Sequence, residues 1–219
     1  VKSKKYLYAG IAGAAAVVAI FVAVIQLNVL PSGNQEQQDA SQQIYLDFSY
    51  EEANSDLKSS LASHQINMSN PLKFFSQSDI NQYCNFLSDP KKQALVKYCT
   101  STELRDKQGF LGDINMVGSV DYPGLVIVAV QSNPFLTNYG EVKTIFGAVL
   151  NYTICECWDK EQPKGYQTLS AMLDAFRDFH INGKKPDSTT HSVPLGGKHF
   201  EIELTTNDHG YLWKLLVAK

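Results

Sequence analysis

The chain has 219 residues, with 19 Lys and Arg against 22 Asp and Glu, and a formal net charge of −3. Only Lys2, Lys4 and Lys5 precede the first acid, Glu36, so the chain beyond them carries 16 basic and 22 acidic side chains, a net −6. That balance argues against binding nucleic acid or anionic lipid by bulk charge, and the length suffices for one domain with its own core.

No charged side chain occurs from Leu7 to Ile25, and the apolar run continues to Leu30. A bilayer core about 30 Å thick needs roughly 20 helical residues, so residues 1–30 are expected to form a transmembrane anchor with a short cytoplasmic start. The three lysines orient it N-terminus inside, and Tyr6 and Tyr8 suit the headgroup layer. A cleaved signal peptide has a shorter apolar core, about 7–15 residues, and a small-residue cleavage site that is missing at this polar boundary. Ala12, Ala16, Ala19 and Ala23 form a smooth stripe, the pattern by which membrane helices pack closely on a partner or on a second copy. Residues 31–43 are polar and lack large apolar side chains, a flexible linker by composition. Residues 44–219 are then an extracytoplasmic domain at the cell membrane.

Ile44, Leu46 and Phe48 alternate, as in a short strand or an extended lead-in. Ala53, Leu57 and Leu61 fall at helical spacing. Ser78 reads as the N-cap of a helix carrying Ile80, Tyr83, Cys84 and Leu87. Asp89-Pro90 restarts a helix that Leu95, Tyr98 and Cys99 continue. Thr100 and Glu103 have capping-box spacing for one more turn before Gly109, so the first half is expected to be mostly helical.

The period then changes. Ile114, Met116, Val120 and Tyr122 alternate, Pro123-Gly124 turns, and LVIVAVQ follows as a buried strand. Val142, Ile145, Phe146, Val149 and Leu150 predict a helix, and NYTICECW either extends it or leaves it as a strand. Residues 159–165 read as a loop. Tyr166, Leu169, Met172, Leu173 and Phe176 predict another helix, and residues 182–198 a long irregular loop. A closing hairpin sets Phe200, Ile202 and Leu204 against Tyr211, Trp213 and Leu215. Strands and helices without regular βαβ alternation define an α+β domain, helical first and built on antiparallel hairpins later.

Four cysteines outside the cytoplasm imply disulfides. Cys84 with Cys99 is the expected pair, on apolar faces of adjacent predicted helices. Cys155 and Cys157 are close for an unstrained bridge, so they either form a strained one or reach back to the first pair. Sequons stand at Asn67 and Asn151. Cys155, Cys157, His191, His199 and His209 supply thiolate and imidazole, the natural ligands of copper or zinc, yet no CxxC or HxxxH spacing groups them. Phe135, Leu136 and Tyr139 lie in or beside an expected loop, where apolar residues mark either a contact surface or packing over a hairpin end. No nucleophile elbow, zincin motif or phosphate loop occurs, and Asp208-His209 and LGGK read as turns. The expected role is binding or assembly: a membrane-anchored accessory subunit or protein-interaction module. The alternative is an extracytoplasmic copper- or zinc-binding domain.

Overall fold

The computed structural model describes residues 44–219. The expected anchor over 1–30, its stripe Ala12, Ala16, Ala19 and Ala23, and the linker 31–43 lie outside the described residues. Among the described residues no helix is long and apolar enough to cross a membrane.

The frame is one antiparallel sheet. Its central strands are β3 (Tyr98–Asp106), β4 (Gly109–Gly118), β5 (Pro123–Ser132), β8 (Lys198–Asn207) and β9 (Gly210–Ala218), in the order β3-β4-β5-β9-β8. Short strands extend both edges. β1 (Asn67–Met68) and β2 (Leu72–Phe74) pair with β3, and β6 (Asp187–Thr189) and β7 (Val193–Leu195) pair with β8. Three long helices lie on one face: α1 (Tyr50–Ser63), α4 (Tyr139–Thr153) and α6 (Leu169–Asn182). Between them and the sheet lies the main core, where Leu57, Leu61, Ile145, Phe146 and Leu173 meet Ile114, Val128, Phe200, Ile202, Leu204 and Trp213. The opposite face is covered by α2 (Gln77–Tyr83) and α3 (Pro90–Gln93), with Ile80, Cys84 and Val96 packed over Cys99, Val117, Leu125, Ile127 and Leu216.

The α+β class therefore holds, but the helical first half does not. Tyr98 to Asp106 is a strand, because its aromatic and β-branched run pairs with β2 on one side and β4 on the other. The apparent capping box at Thr100 and Glu103 is inside it; Thr100, Thr102 and Leu104 point into the main core. α3 stops after four residues, although Asp89 caps it through the Lys91 N–H as expected. The cap of α2 is Ser76, two residues before Ser78: its Oγ accepts from the Asp79 N–H at 3.1 Å.

Other departures are smaller. Residues 44–49 are neither a strand nor an extended run but a lead-in of turn and bends, pinned by the Leu46 N–H on the Pro123 carbonyl at 2.7 Å. The β4–β5 turn runs through Ser119–Tyr122, and Pro123 opens β5, where a missing N–H costs least. α4 runs on through Asn151, Tyr152 and Thr153, and residues 154–157 then leave it as a turn and a bend, not as a strand. The expected loop at 159–165 contains α5 (Trp158–Glu161) and a 3-10 turn (Pro163–Gly165). The expected loop at 182–198 contains the edge strands β6 and β7.

The closing hairpin carries the core as expected. Phe200, Ile202, Leu204, Trp213 and Leu215 are fully buried. The Trp213 indole N–H donates to Ser132 Oγ at 3.0 Å, and its ring packs on Tyr139 with centroids 5.2 Å apart. Truncating a buried Trp costs about 3–5 kcal/mol, and each kcal/mol lowers Tm by about 2–4 °C at this size. Trp213→Ala is thus expected to lower the melting temperature by roughly 10 °C in calorimetry. Phe135→Ala, at an 88% exposed position, should leave it within a degree or two.

Candidate functional site

One end of the sheet gathers three features. It is the end at which the described chain begins, and it carries the β4–β5 and β7–β8 turns.

The first feature is apolar. Phe75 is 71% exposed, Val120 66%, Tyr122 49% and Ile44 39%. Local bonding holds their segments at this end. Tyr50, the first residue of α1, donates its hydroxyl to the Ser119 carbonyl at 2.9 Å and packs edge-on against Tyr98 at 4.7 Å. Phe75 stacks on Tyr98 at 6.1 Å. Large side chains that stay wet in a cluster mark a contact surface more often than scattered ones do.

The second feature is an ion pair. Lys198 opens β8, is 8% exposed, donates to the Thr153 carbonyl at 2.9 Å and pairs with Asp47 at 2.5 Å. A cation at the last carbonyls of α4 complements its dipole. Its hydrogen bond to Asp47 also holds that carboxyl below the usual carboxylate range. One side chain thus ties the lead-in, α4 and β8 together.

The third feature is a small cleft of about 280 Å³ between α4, the start of α6 and β7. Lys143, Leu150 and Asn151 line one wall, Leu169 and Leu195 another, and Cys155 and Trp158 close it. Cys155 and Cys157 stand at disulfide distance from each other, with Cα atoms 5.2 Å apart. The segment is well held. The Cys155 N–H donates to the Leu150 carbonyl, the Cys157 carbonyl accepts from Lys160 and Glu161, and Trp158 Nε1 donates to the Tyr166 carbonyl. Gly196, in the β7–β8 turn, lies so close that a Cβ there would come 2.6 Å from Cys155 Sγ; its φ of +56° also favours glycine. Its N–H donates to Glu161 at 2.9 Å, which fastens α5 to the turn.

The other cysteine pair differs. Cys84, at the end of α2, and Cys99, on β3, also stand at disulfide distance, with Cα atoms 6.4 Å apart, and both are fully buried. Closing a loop of about 15 residues stabilises a fold by roughly 3 kcal/mol in the chain-entropy account, and closing one of three residues by roughly half that.

The metal candidates do not converge. Cys155 and Cys157 face each other. His191 is exposed, with φ of 55°, and its N–H donates to Thr189 Oγ1. His199 sits at the start of β8 with its Nδ1 3.1 Å from Ser192 Oγ. His209 is in the β8–β9 turn, about 30 Å along the strand at 3.3 Å per residue. Among the described residues no group of three His, Cys, Asp or Glu is placed to hold a metal ion. The Phe135 loop divides likewise: Tyr139 is buried in α4 against Trp213, Leu136 packs on the core, and Phe135 alone projects.

Two polar residues carry more than their sequence context suggests. His180 on α6 is 1% exposed, between Ser188 Oγ at 2.9 Å and Thr206 Oγ1 at 2.8 Å, so it links α6 to β6 and β8. Burial pushes its pKa down. Its stabilising contribution is therefore present above its ordinary value and is lost as pH falls below it. Asp113, on the polar face of β4, has its carboxyl pushed up to about 6 by burial, against a hydrogen bond from Asn115 that favours the charged form.

The sign for Asp113 is that of a raised acid. The unfolded chain releases this proton near 3.8 and the folded chain near 6, so stability falls between those values and stays lower above them. Asp113→Asn removes the effect at constant shape. Relative to wild type, it is expected to gain up to roughly 3 kcal/mol as pH rises from 4 to 7, read from denaturant melts. A difference that does not change with pH would show that Asp113 titrates normally.

No protein-family profile, curated protein or solved structure matches this chain.

Proposed function

We propose that the chain is a single-pass membrane-anchored extracytoplasmic binding or assembly module, an accessory subunit that meets a protein partner with the apolar end of its domain. The observation that carries this reading is the exposed group Ile44, Phe75, Val120 and Tyr122 beside the start of the described chain. Aromatic side chains are enriched in interface centres, and a few of them dominate binding energy. The position adds an argument. As the flexible linker its composition predicts, 31–43 would span about 20 Å r.m.s. and at most about 45 Å, which would keep this end near the bilayer that the predicted anchor occupies. The partner is accordingly another membrane protein, and the alanine stripe of the anchor is a second surface for it. The copper or zinc alternative needs Cys155 and Cys157 reduced and histidines drawn in from elsewhere, and nothing in the arrangement favours it.

A photo-crosslinking residue at position 75 or 120, in full-length protein in native membranes, is expected to give one discrete protein adduct. The same group at position 208, in the far turn, should give none. Adducts with lipid alone, or equal labelling from both ends, would remove the reading. Since each anchor side chain is worth roughly 1–2 kcal/mol, Phe75→Ser with Val120→Ser should weaken partner co-purification tenfold or more.

A further inference from the structure

We infer that Cys155 and Cys157 form a redox-active pair that exchanges with a dithiol or disulfide of a polypeptide at the cleft they border. The inference depends on the membrane-module reading only for its oxidising compartment; the exchange chemistry is a property of the site itself.

Three observations converge on it. The pair closes only three residues of chain, so its bridge adds little to the fold, whereas Cys84 and Cys99 span a separation of 15 and are fully buried. A bridge that contributes little and is reachable is the labile kind; a buried one that holds a core is the inert kind. The second observation is access. Cys155 and Cys157 are both partly exposed, and Cys155 lines a cleft of about 280 Å³, just below the about 300–1,000 Å³ of small-molecule sites. Such a space admits one or two side chains of a polypeptide rather than an organic cofactor. Its walls mix apolar Leu150, Leu169 and Trp158 with Lys143 and Asn151, which suits an unfolded or loop segment. The third is rigidity. The hydrogen bonds around Leu150, Cys157 and Tyr166, and the approach of Gly196, fix the backbone on both sides of the pair, so opening the bridge leaves its frame in place.

A partner thiolate attacks the Sγ of Cys155, the cysteine that lines the cleft. The Cys155–Cys157 bond breaks, its electron pair leaves on Cys157, and that thiolate takes a proton from water. The partner's second thiolate then attacks the partner sulfur of the mixed disulfide, and Cys155 leaves as a thiolate that is protonated in turn. Two electrons and two protons have passed from the partner dithiol, now a disulfide, to the cysteine pair. With a disulfide partner and the reduced pair the same steps run backwards, Cys155 attacking first.

Full-length protein in detergent micelles is equilibrated in glutathione buffers, quenched, tagged with maleimide and mapped by peptide mass. Cys155 and Cys157 should become labelled at a [GSH]²/[GSSG] at least tenfold lower than Cys84 and Cys99 require. Fluorescence of Trp158, next to the pair, should change in step. Reduced Cys157→Ser protein, given a peptide with one intramolecular disulfide, should hold a mixed disulfide at Cys155, and Cys155→Ser at least tenfold less. Simultaneous labelling of all four cysteines together with loss of circular dichroism would overturn the inference, as would a Cys157→Ser protein that forms no adduct. If either variant misfolds, the glutathione titration of the unaltered chain decides. Exchange without any crosslinked membrane partner would sink the docking surface and leave this site standing; the converse would do the reverse.

Discussion

The structure depends on one strand being buried from both sides. Val126, Val128 and Val130 of β5 point into the helix-covered core, and Leu125 and Ile127 point into the smaller cluster opposite. A sheet whose central strand is apolar on both faces cannot leave either to water. Each large side chain contributes roughly 1.5–3 kcal/mol when buried, so exposing one face would forfeit several of them. Three long helices solve the problem on one side. On the other, α2 and α3 are too short to form a layer, and the covering is a small cap over one end of the sheet. The Cys84–Cys99 pair joins that cap to β3, which is how seven- and four-residue helices remain in place.

The uncapped remainder of that face explains its polar residues. Asn115 and Glu201 are buried there and Asp113, Glu203 and Lys214 half-covered, and the group is tied to one another or to Thr189. Asp113 and Glu203 both have raised carboxyl pKa values for the same reason, burial, with Lys214 at 3.5 Å restraining the rise at Glu203. Burial without a full charge partner is costly, so these side chains lower stability once ionised and make it vary with pH.

Much of this was legible in the sequence where the period was long. The three helices announced themselves through Ala53, Leu57 and Leu61, through Val142 to Leu150, and through Met172, Leu173 and Phe176. The closing hairpin followed from alternation and its turn residues; the first followed in its strands, but its turn is Ser119–Tyr122 and not the expected Pro123-Gly124. β3 was not legible, because Tyr98 and Cys99 fall at helical spacing from Leu95 and Thr100-x-x-Glu103 imitates a cap; only pairing on both sides decides for a strand. The three-residue edge strands β6 and β7 are too short to carry a period, and Pro194 disguises one of them. The site was half-legible. The cysteines drew notice as possible metal ligands, but the role of Gly196 beside Cys155, 41 positions away, has no local signature. Neither do His180 and Asp113, whose environments are made by strands far along the chain.

Pro123 on β5, Ala218 on β9, His199 on β8 and Pro194 on β7 follow one another across the sheet at its near end. At about 4.8 Å per strand, the Cys155 cleft beside β7 lies roughly 15 Å from the place where Leu46 is pinned to Pro123. Lys198 binds Asp47 of the lead-in and the last turn of α4, from which the cysteine segment departs. The lead-in, the exposed aromatic group and the cysteine pair therefore share one end of the domain and one set of restraints. A partner held against the aromatic group would have its own chain within reach of the cleft. Tethering of that kind raises the local concentration of a thiol toward the millimolar range, which lets a pair with only a shallow cleft act selectively on one polypeptide.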